Sequence, residues 1–210
     1  MKRRNIGRSL DRRGPSRDPL PFLLIVCEGE VTEPEYLERF RRHFVNRLVK
    51  IEVCGGGGFP KTLVERAQEL RSVAERAART ARDANLEFDE VWCVFDVDEH
   101  PKLQDALQQA RDHNIRVAIS NPCIEIWLLW HFEDHASHID RRVLARRLRT
   151  FIPGYQKHVR FDDLLAGYPD AVVRAKSMDA RHEANGTQNS NPSSGIYRLL
   201  ERIREAGRLR

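Results

Sequence analysis

The sequence predicts an α/β fold, an open parallel sheet of about four strands with helices on both faces, followed by a helical C-terminal extension. Three observations predict it. Short runs of strand character recur at Phe22 to Cys27, Lys50 to Cys54, Val91 to Phe95 and Ile115 to Ile119. Segments with helical periodicity separate them, which is the alternation of a right-handed βαβ chain. The first and third runs end in acids, Glu28 and then Asp96 and Asp98. In open α/β sheets that strand end is where ligands bind.

Taken in order, the chain opens with a basic arm over residues 1–18. Lys2, Arg3, Arg4, Arg8, Arg12, Arg13 and Arg17 stand there against Asp11 and Asp18, so the arm carries the whole formal charge of +5 and the rest of the chain is balanced. A cationic arm on a neutral body suits nucleic-acid backbone contact without sequence readout. Pro19 and Pro21 keep the chain extended into the first strand. Thr32 is placed to cap a helix from Glu33 to about Asn46, with Tyr36, Leu37, Phe40 and Phe44 on its apolar face.

After the second strand comes Gly55-Gly56-Gly57-Gly58, which matches no phosphate-loop template; it is either a plain connection or a substrate-facing loop. A long amphipathic helix runs from Pro60 to about Asn85, with Leu63, Val64, Ala67, Leu70, Val73, Ala74 and Ala77 as its stripe. The third strand and a helix from Pro101 to His113 follow, then the fourth strand. Asn121 is expected to cap the next helix with Pro122 at its first position. That helix, Cys123 to about Phe132, is apolar nearly all round yet carries Glu125, a carboxylate that must be partnered. Beyond it the pattern gives a basic helix at Arg141 to Arg149, a loop from Gly154 to Arg160, a helix from Phe161 to Lys176, a polar loop from Arg181 to Ser194 and a last helix from Ile196 to Arg208.

With 210 residues and 40% hydrophobic content, one core and a small appendage are expected: the arm, a catalytic core over 19–135, and a helical extension over 136–210 packed on it. No run of about 18 apolar residues and no signal-type segment is visible, which points to the cytoplasm. Cys27, Cys54, Cys93 and Cys123 are far apart and suit reduced, buried thiols rather than zinc or disulfides.

If the strand order is 2-1-3-4, the first and third strands are neighbours at the point where winding reverses, and Glu28 meets Asp96 and Asp98 there. Carboxylates packed so closely repel one another unless a cation intervenes, and oxygen donors of this kind hold Mg²⁺ or Mn²⁺. Asp96 and Asp98 are then ligands; Glu28 is either a third ligand or a proton carrier. Glu125 orients a ligand or a basic residue, or makes a structural hydrogen bond. His100 lies just past the acidic pair and could reach a scissile phosphate. Asn121 and His131 are further accessory candidates; at a helix end the dipole would favour a charged His131.

The blocks Leu24 to Phe40, Val94 to His100, Ser120 to Phe132 and Asn191 to Ile203 resemble, in the same order, those of the RloB family. That resemblance implies a Toprim-like, Rossmann-like core, shared with topoisomerases, primases and OLD-type nucleases, which uses a glutamate after its first strand and a D-x-D after its third to bind Mg²⁺ for phosphodiester chemistry. It places Glu28, Asp96 and Asp98 at the catalytic positions and Glu125 in the third block. It also implies a role in restriction loci and abortive infection, beside a separately encoded AAA-type ATPase, and leaves room for a homo-oligomer. No ATPase motif occurs in this chain, and Tyr36, Tyr155, Tyr168 and Tyr197 lack the context of a topoisomerase nucleophile. The expectation is therefore a metal-dependent nuclease acting on RNA or DNA. The alternatives are a non-catalytic adaptor for nucleic acid or an ATPase and, less favoured, a haloacid dehalogenase-like phosphatase using Asp96 as nucleophile. That signature belongs on a first strand and wants another residue where His100 stands.

Overall fold

The computed structural model describes residues 21–44, 48–53, 59–97 and 103–208. The basic arm, Cys54, the glycine run 55–58, Asp98 and His100 lie outside the described residues. Within them the elements run β1 (Leu23–Cys27), α1 (Thr32–His43), β2 (Val49–Val53), α2 (Pro60–Ala81), β3 (Glu90–Asp96), α3 (Leu103–Asp112), β4 (Arg116–Asn121) and α4 (Glu125–Leu129). They continue through α5 (Arg141–Phe151), α6 (Phe161–Leu165), α7 (Tyr168–Ala184), β5 (Ser193–Ser194) and α8 (Ile196–Arg208). The sheet order is β2-β1-β3-β4-β5, parallel throughout except for β5, which pairs antiparallel with β4. The fold is thus Rossmann-like, with β1 and β3 adjacent in the 2-1-3-4 order that the sequence reading takes as its condition.

Strand periodicity sorts the chain into two cores. On one face Leu23, Ile25, Cys27, Trp92 and Val94 pack under α1, α4, α5, α7 and α8; on the other Leu24, Val26, Val91, Cys93 and Phe95 pack under α2 and α3. The first core is the larger and holds Trp127, Trp130, Phe40, Tyr36 and Tyr168. By the same alternation Asp96, two residues beyond Val94, belongs to the face of the larger core. Both α1 and α4 begin at the carboxyl edge of that face, so the acids opening these helices are brought toward Asp96.

Several expectations are corrected. Val31, not Thr32, precedes α1; Thr32 is its first residue and its hydroxyl donates to the Lys157 carbonyl at 2.9 Å. Asn121 ends β4 and does not cap a helix: its side-chain amide donates to the Asn189 carbonyl at 2.8 Å, and α4 starts four residues later. The outer half of α2 overhangs the sheet, leaving Val73 at 49% exposure, so its apolar stripe is buried only from Pro60 to Ala67 and at Ala78. The segment expected as one helix from Phe161 is two. Between them Gly167 lies against the His131 carbonyl, so closely that a Cβ there would collide with it. α7 then runs on to Ala184 through residues expected as loop, and β5 is a strand where none was expected. β5 is held by Gly195 N–H to Ile119 O at 2.7 Å and by the Ser120 and Ser194 hydroxyls at 2.9 Å.

Candidate active site

A cleft of about 600 Å³ opens at the carboxyl edge between β1 and β3. Its lining includes the acids Glu28, Glu30, Glu33, Asp96 and Glu125 and the cations Arg141, Arg142 and Lys157. Register explains the first pair. Cys27 sits level with Val94, the Glu28 N–H donates to the Val94 carbonyl at 3.0 Å, and Asp96 follows two residues on.

Asp96 is fixed at both oxygens. Oδ1 accepts from the Ile124 N–H at 2.9 Å, and Oδ2 faces an Arg141 guanidinium nitrogen at 3.3 Å. Arg141 itself is pinned by two bonds to the Pro122 carbonyl, at 2.8 and 3.1 Å. Burial raises the Asp96 pKa well above the usual carboxylate range; Glu33, Glu125 and Glu28 push it further, and Arg141 opposes them. Glu33, 6% exposed, is likewise raised by burial first and by Glu125 and Glu28 after it, with Lys157 acting the other way. Four carboxylates therefore share one field.

Glu125 opens α4 and its Oε1 accepts from the Tyr155 hydroxyl at 2.9 Å. That answers how a carboxylate enters an apolar helix: it is turned to the cleft and held there by a buried tyrosine. The Tyr155 and Cys123 pKa values are both raised, by burial first and then by Glu125, which keeps them protonated. Gly29 leaves the Glu33 carboxylate its present place, since a Cβ at that position would force that side chain to move.

The structure places Glu28, Asp96 and Glu125 in the lining of one cleft. It leaves Asn121 outside the cleft lining. His131 is not the charged helix-end residue expected from the dipole. It is 5% exposed, and burial lowers its pKa to about 4. As a neutral ring it donates from Nδ1 to the Trp127 carbonyl at 2.9 Å and accepts at Nε2 from the Tyr36 hydroxyl at 3.2 Å. Desolvation outweighs the dipole there. The sequence reading missed Glu33, taken only as a helix-start acid, and the cations Arg141, Arg142 and Lys157. No sequence signal marked Lys157, which reaches the cleft from a loop.

The donors are all carboxylate oxygens, the chemistry a hard divalent ion takes. Among the described residues no group of three or more His, Cys, Asp and Glu side chains is arranged as a complete metal site. Glu28 and Asp96 fit such an ion in kind, and Asp98, outside the described residues, is the further donor the motif supplies.

An open, mostly parallel α/β sheet with an acidic cleft at its switch point defines the class of protein. The family follows from the chain as a whole: a family model described as RloB-like protein matches residues 23–203, and the protein belongs to that family. No curated protein and no solved structure matches the chain. No helix among the described residues is long and apolar enough to cross a membrane.

Proposed function

We propose that this protein is a Mg²⁺-dependent nuclease that hydrolyses phosphodiester bonds in RNA or DNA, as an effector of phage defence by abortive infection in the cytoplasm. The observation that carries the proposal is the meeting of Glu28 and Asp96 at the ends of adjacent strands, in a cleft that also holds Glu33 and Glu125. Two terminal acids at neighbouring positions of a switch point are what the Toprim-like arrangement requires, and Asp98 completes its D-x-D.

Asp96, Asp98 and Glu28 would hold the ion, which supplies Lewis-acid polarisation of a phosphate oxygen and a water acidic enough to attack near neutral pH. Glu28, if not a ligand, carries the proton to or from water or the leaving oxygen. Glu125, oriented by Tyr155, and Glu33 deepen the negative field that attracts the cation. Arg141, beside Asp96, and Lys157, in the same lining, would offset the charge of a bound phosphate. All four tyrosines are buried, with exposures of 3 to 7%, which supports hydrolysis over a tyrosyl strand-transfer reaction. The phosphatase alternative is disfavoured because the D-x-D follows β3, not β1.

The test is purified protein with total RNA or plasmid and Mg²⁺ or Mn²⁺, with and without the AAA-type ATPase expected as its partner. Ion-dependent cleavage of one polymer by wild type but not by Asp96→Ala supports the proposal. Binding without product under every condition would make the protein an adaptor instead.

A further inference from the structure

Helix α5 carries five arginines, Arg141, Arg142, Arg146, Arg147 and Arg149, and no acidic residue. Its buried side chains are Leu144 and Leu148, and Arg147 is turned to Glu133. At 3.6 residues per turn Arg142, Arg146 and Arg149 fall within about 60° of one another around the axis, on one exposed face. The Arg142 and Arg146 side chains have no hydrogen bond or ion pair among the described residues, and Arg149 reaches only the Tyr155 carbonyl, at 3.4 Å.

This face is electrostatically costly. Arg142 and Arg146 are four residues apart and Arg146 and Arg149 three, spacings at which like charges destabilise a helix. On α1 and α2, by contrast, glutamates stand at those spacings: Glu38 beside Arg41 and Arg42, Glu69 beside Arg66, Glu75 beside Arg71. An uncompensated row of guanidiniums suits an anion that comes from elsewhere.

Its position says which anion. Arg142 and Ala145 line the same cleft as Glu28 and Glu33, and Arg146 and Arg149, which are not in its lining, continue the row along the helix. We propose that this face of α5 is the track along which a polynucleotide backbone enters the carboxylate cleft, an inference that rests on the nuclease reading above. Arg142 to Arg149 spans about 10 Å of helix, the length of roughly three phosphates along one strand of a duplex. Guanidinium forks match phosphate oxygens bidentately. A flat anionic membrane would meet the outer arginines but not enter a cleft.

The experiment compares full-length wild type with the triple variant Arg142→Gln/Arg146→Gln/Arg149→Gln, binding labelled RNA and DNA oligonucleotides in EDTA, where no cleavage contributes. The track predicts at least a tenfold loss of affinity and a decrease of about 2 to 3 in the slope of log affinity against log salt. The corresponding triple lysine variant retains most of the slope, which separates lost charge from lost folding. Arg76→Gln/Arg79→Gln, on α2 across the sheet, binds as wild type. Affinity and slope unchanged in the glutamine triple overturn the track, and if wild type still cuts, the nuclease reading stands without it. Equal losses from the α2 control, or arginine-dependent binding to phosphatidylserine vesicles with none to oligonucleotides, also overturn it. Oligonucleotide held through these arginines but never cut keeps the track and removes the nuclease.

Discussion

Strand β3 has an acid at each end, and the two live in opposite conditions. Glu90, at the amino end, is bonded to an Arg202 guanidinium at 2.6 Å, lies 3.7 Å from Arg116 and accepts from the Trp92 indole at 3.2 Å. Asp96, at the carboxyl end, has one arginine at 3.3 Å and three glutamates acting on it. Their side-chain exposures are similar, 12% and 18%, so burial alone does not separate them. What differs is the company. Glu90 is matched by cations and raises the Arg202 pKa in return, which is how a structural acid is accommodated. Asp96 stands in a field that disfavours its own charge, an arrangement folding has no reason to build and an incoming cation has every reason to use.

The largest expected effect breaks the comparison at its functional end. Asp96→Ala should abolish ion-dependent cleavage, a loss on the order of a thousandfold or more, while the circular dichroism spectrum and cooperative unfolding persist. Cleavage at wild-type rate by a folded variant would show that the unfavourable field at Asp96 is incidental.

Acid pH sharpens the contrast, because the site acid and the core histidine respond with opposite sign. Asp96, with its raised pKa, opposes folding at neutral pH and is relieved as pH falls through that value. His131 binds its proton less readily folded, at about 4, than unfolded, at about 6.5. Its contribution is therefore complete above pH 6.5 and is lost as pH falls toward 4, up to about 3 kcal/mol. Urea unfolding of wild type and His131→Gln at pH 7 and pH 4.5 checks this. The wild type should lose roughly that much more than the variant; equal losses would mean the imidazole is not held neutral.

The framework was legible from strand-type runs and the acids that close them, because periodicity reports burial directly. Given a 2-1-3-4 strand order, those runs set Glu28 beside Asp96. What stayed hidden depends on groups whose signals lie elsewhere. Ser193 and Ser194 form a strand with no apolar character, their pairing set by β4. Lys157 enters the cleft from a loop, Tyr155 reaches Glu125 from the same loop, and Arg141 comes from a helix that read only as basic. Glu33 looked like an ordinary helix-start acid, since a sequence cannot show that Gly29 leaves room for it to turn inward. His131 was misjudged for a related reason: the helix end it occupies is roofed by Tyr36 and Trp127.

A divalent ion should repair what the comparison exposes. If Mg²⁺ or Ca²⁺ binds only the folded cleft, it adds about 2.7 kcal/mol at a hundredfold excess over Kd, or roughly 5 to 10 °C in Tm for a chain of this size. Wild type should show the shift in a calorimetric titration and Asp96→Ala should not. A shift of equal size in both would place the ion elsewhere.

The smallest effect tests the structural end. Glu90→Gln keeps the shape of the side chain and removes the charge that Arg202 and Arg116 share, leaving one well-formed hydrogen bond weakened to a neutral one and Arg202 short of its counter-ion. Because Arg202 is about a third exposed, water takes over part of that role. The expected cost is about 1 to 2 kcal/mol of stability, read as a lower urea midpoint with an unchanged slope, and cleavage per folded molecule should equal wild type. The two ends of one strand would then separate cleanly, one variant losing turnover without stability and the other stability without turnover. A folded Glu90→Gln protein that cannot cut would instead couple the amino end of β3 to the cleft, and the contrast between a matched acid and a crowded one would no longer locate the site.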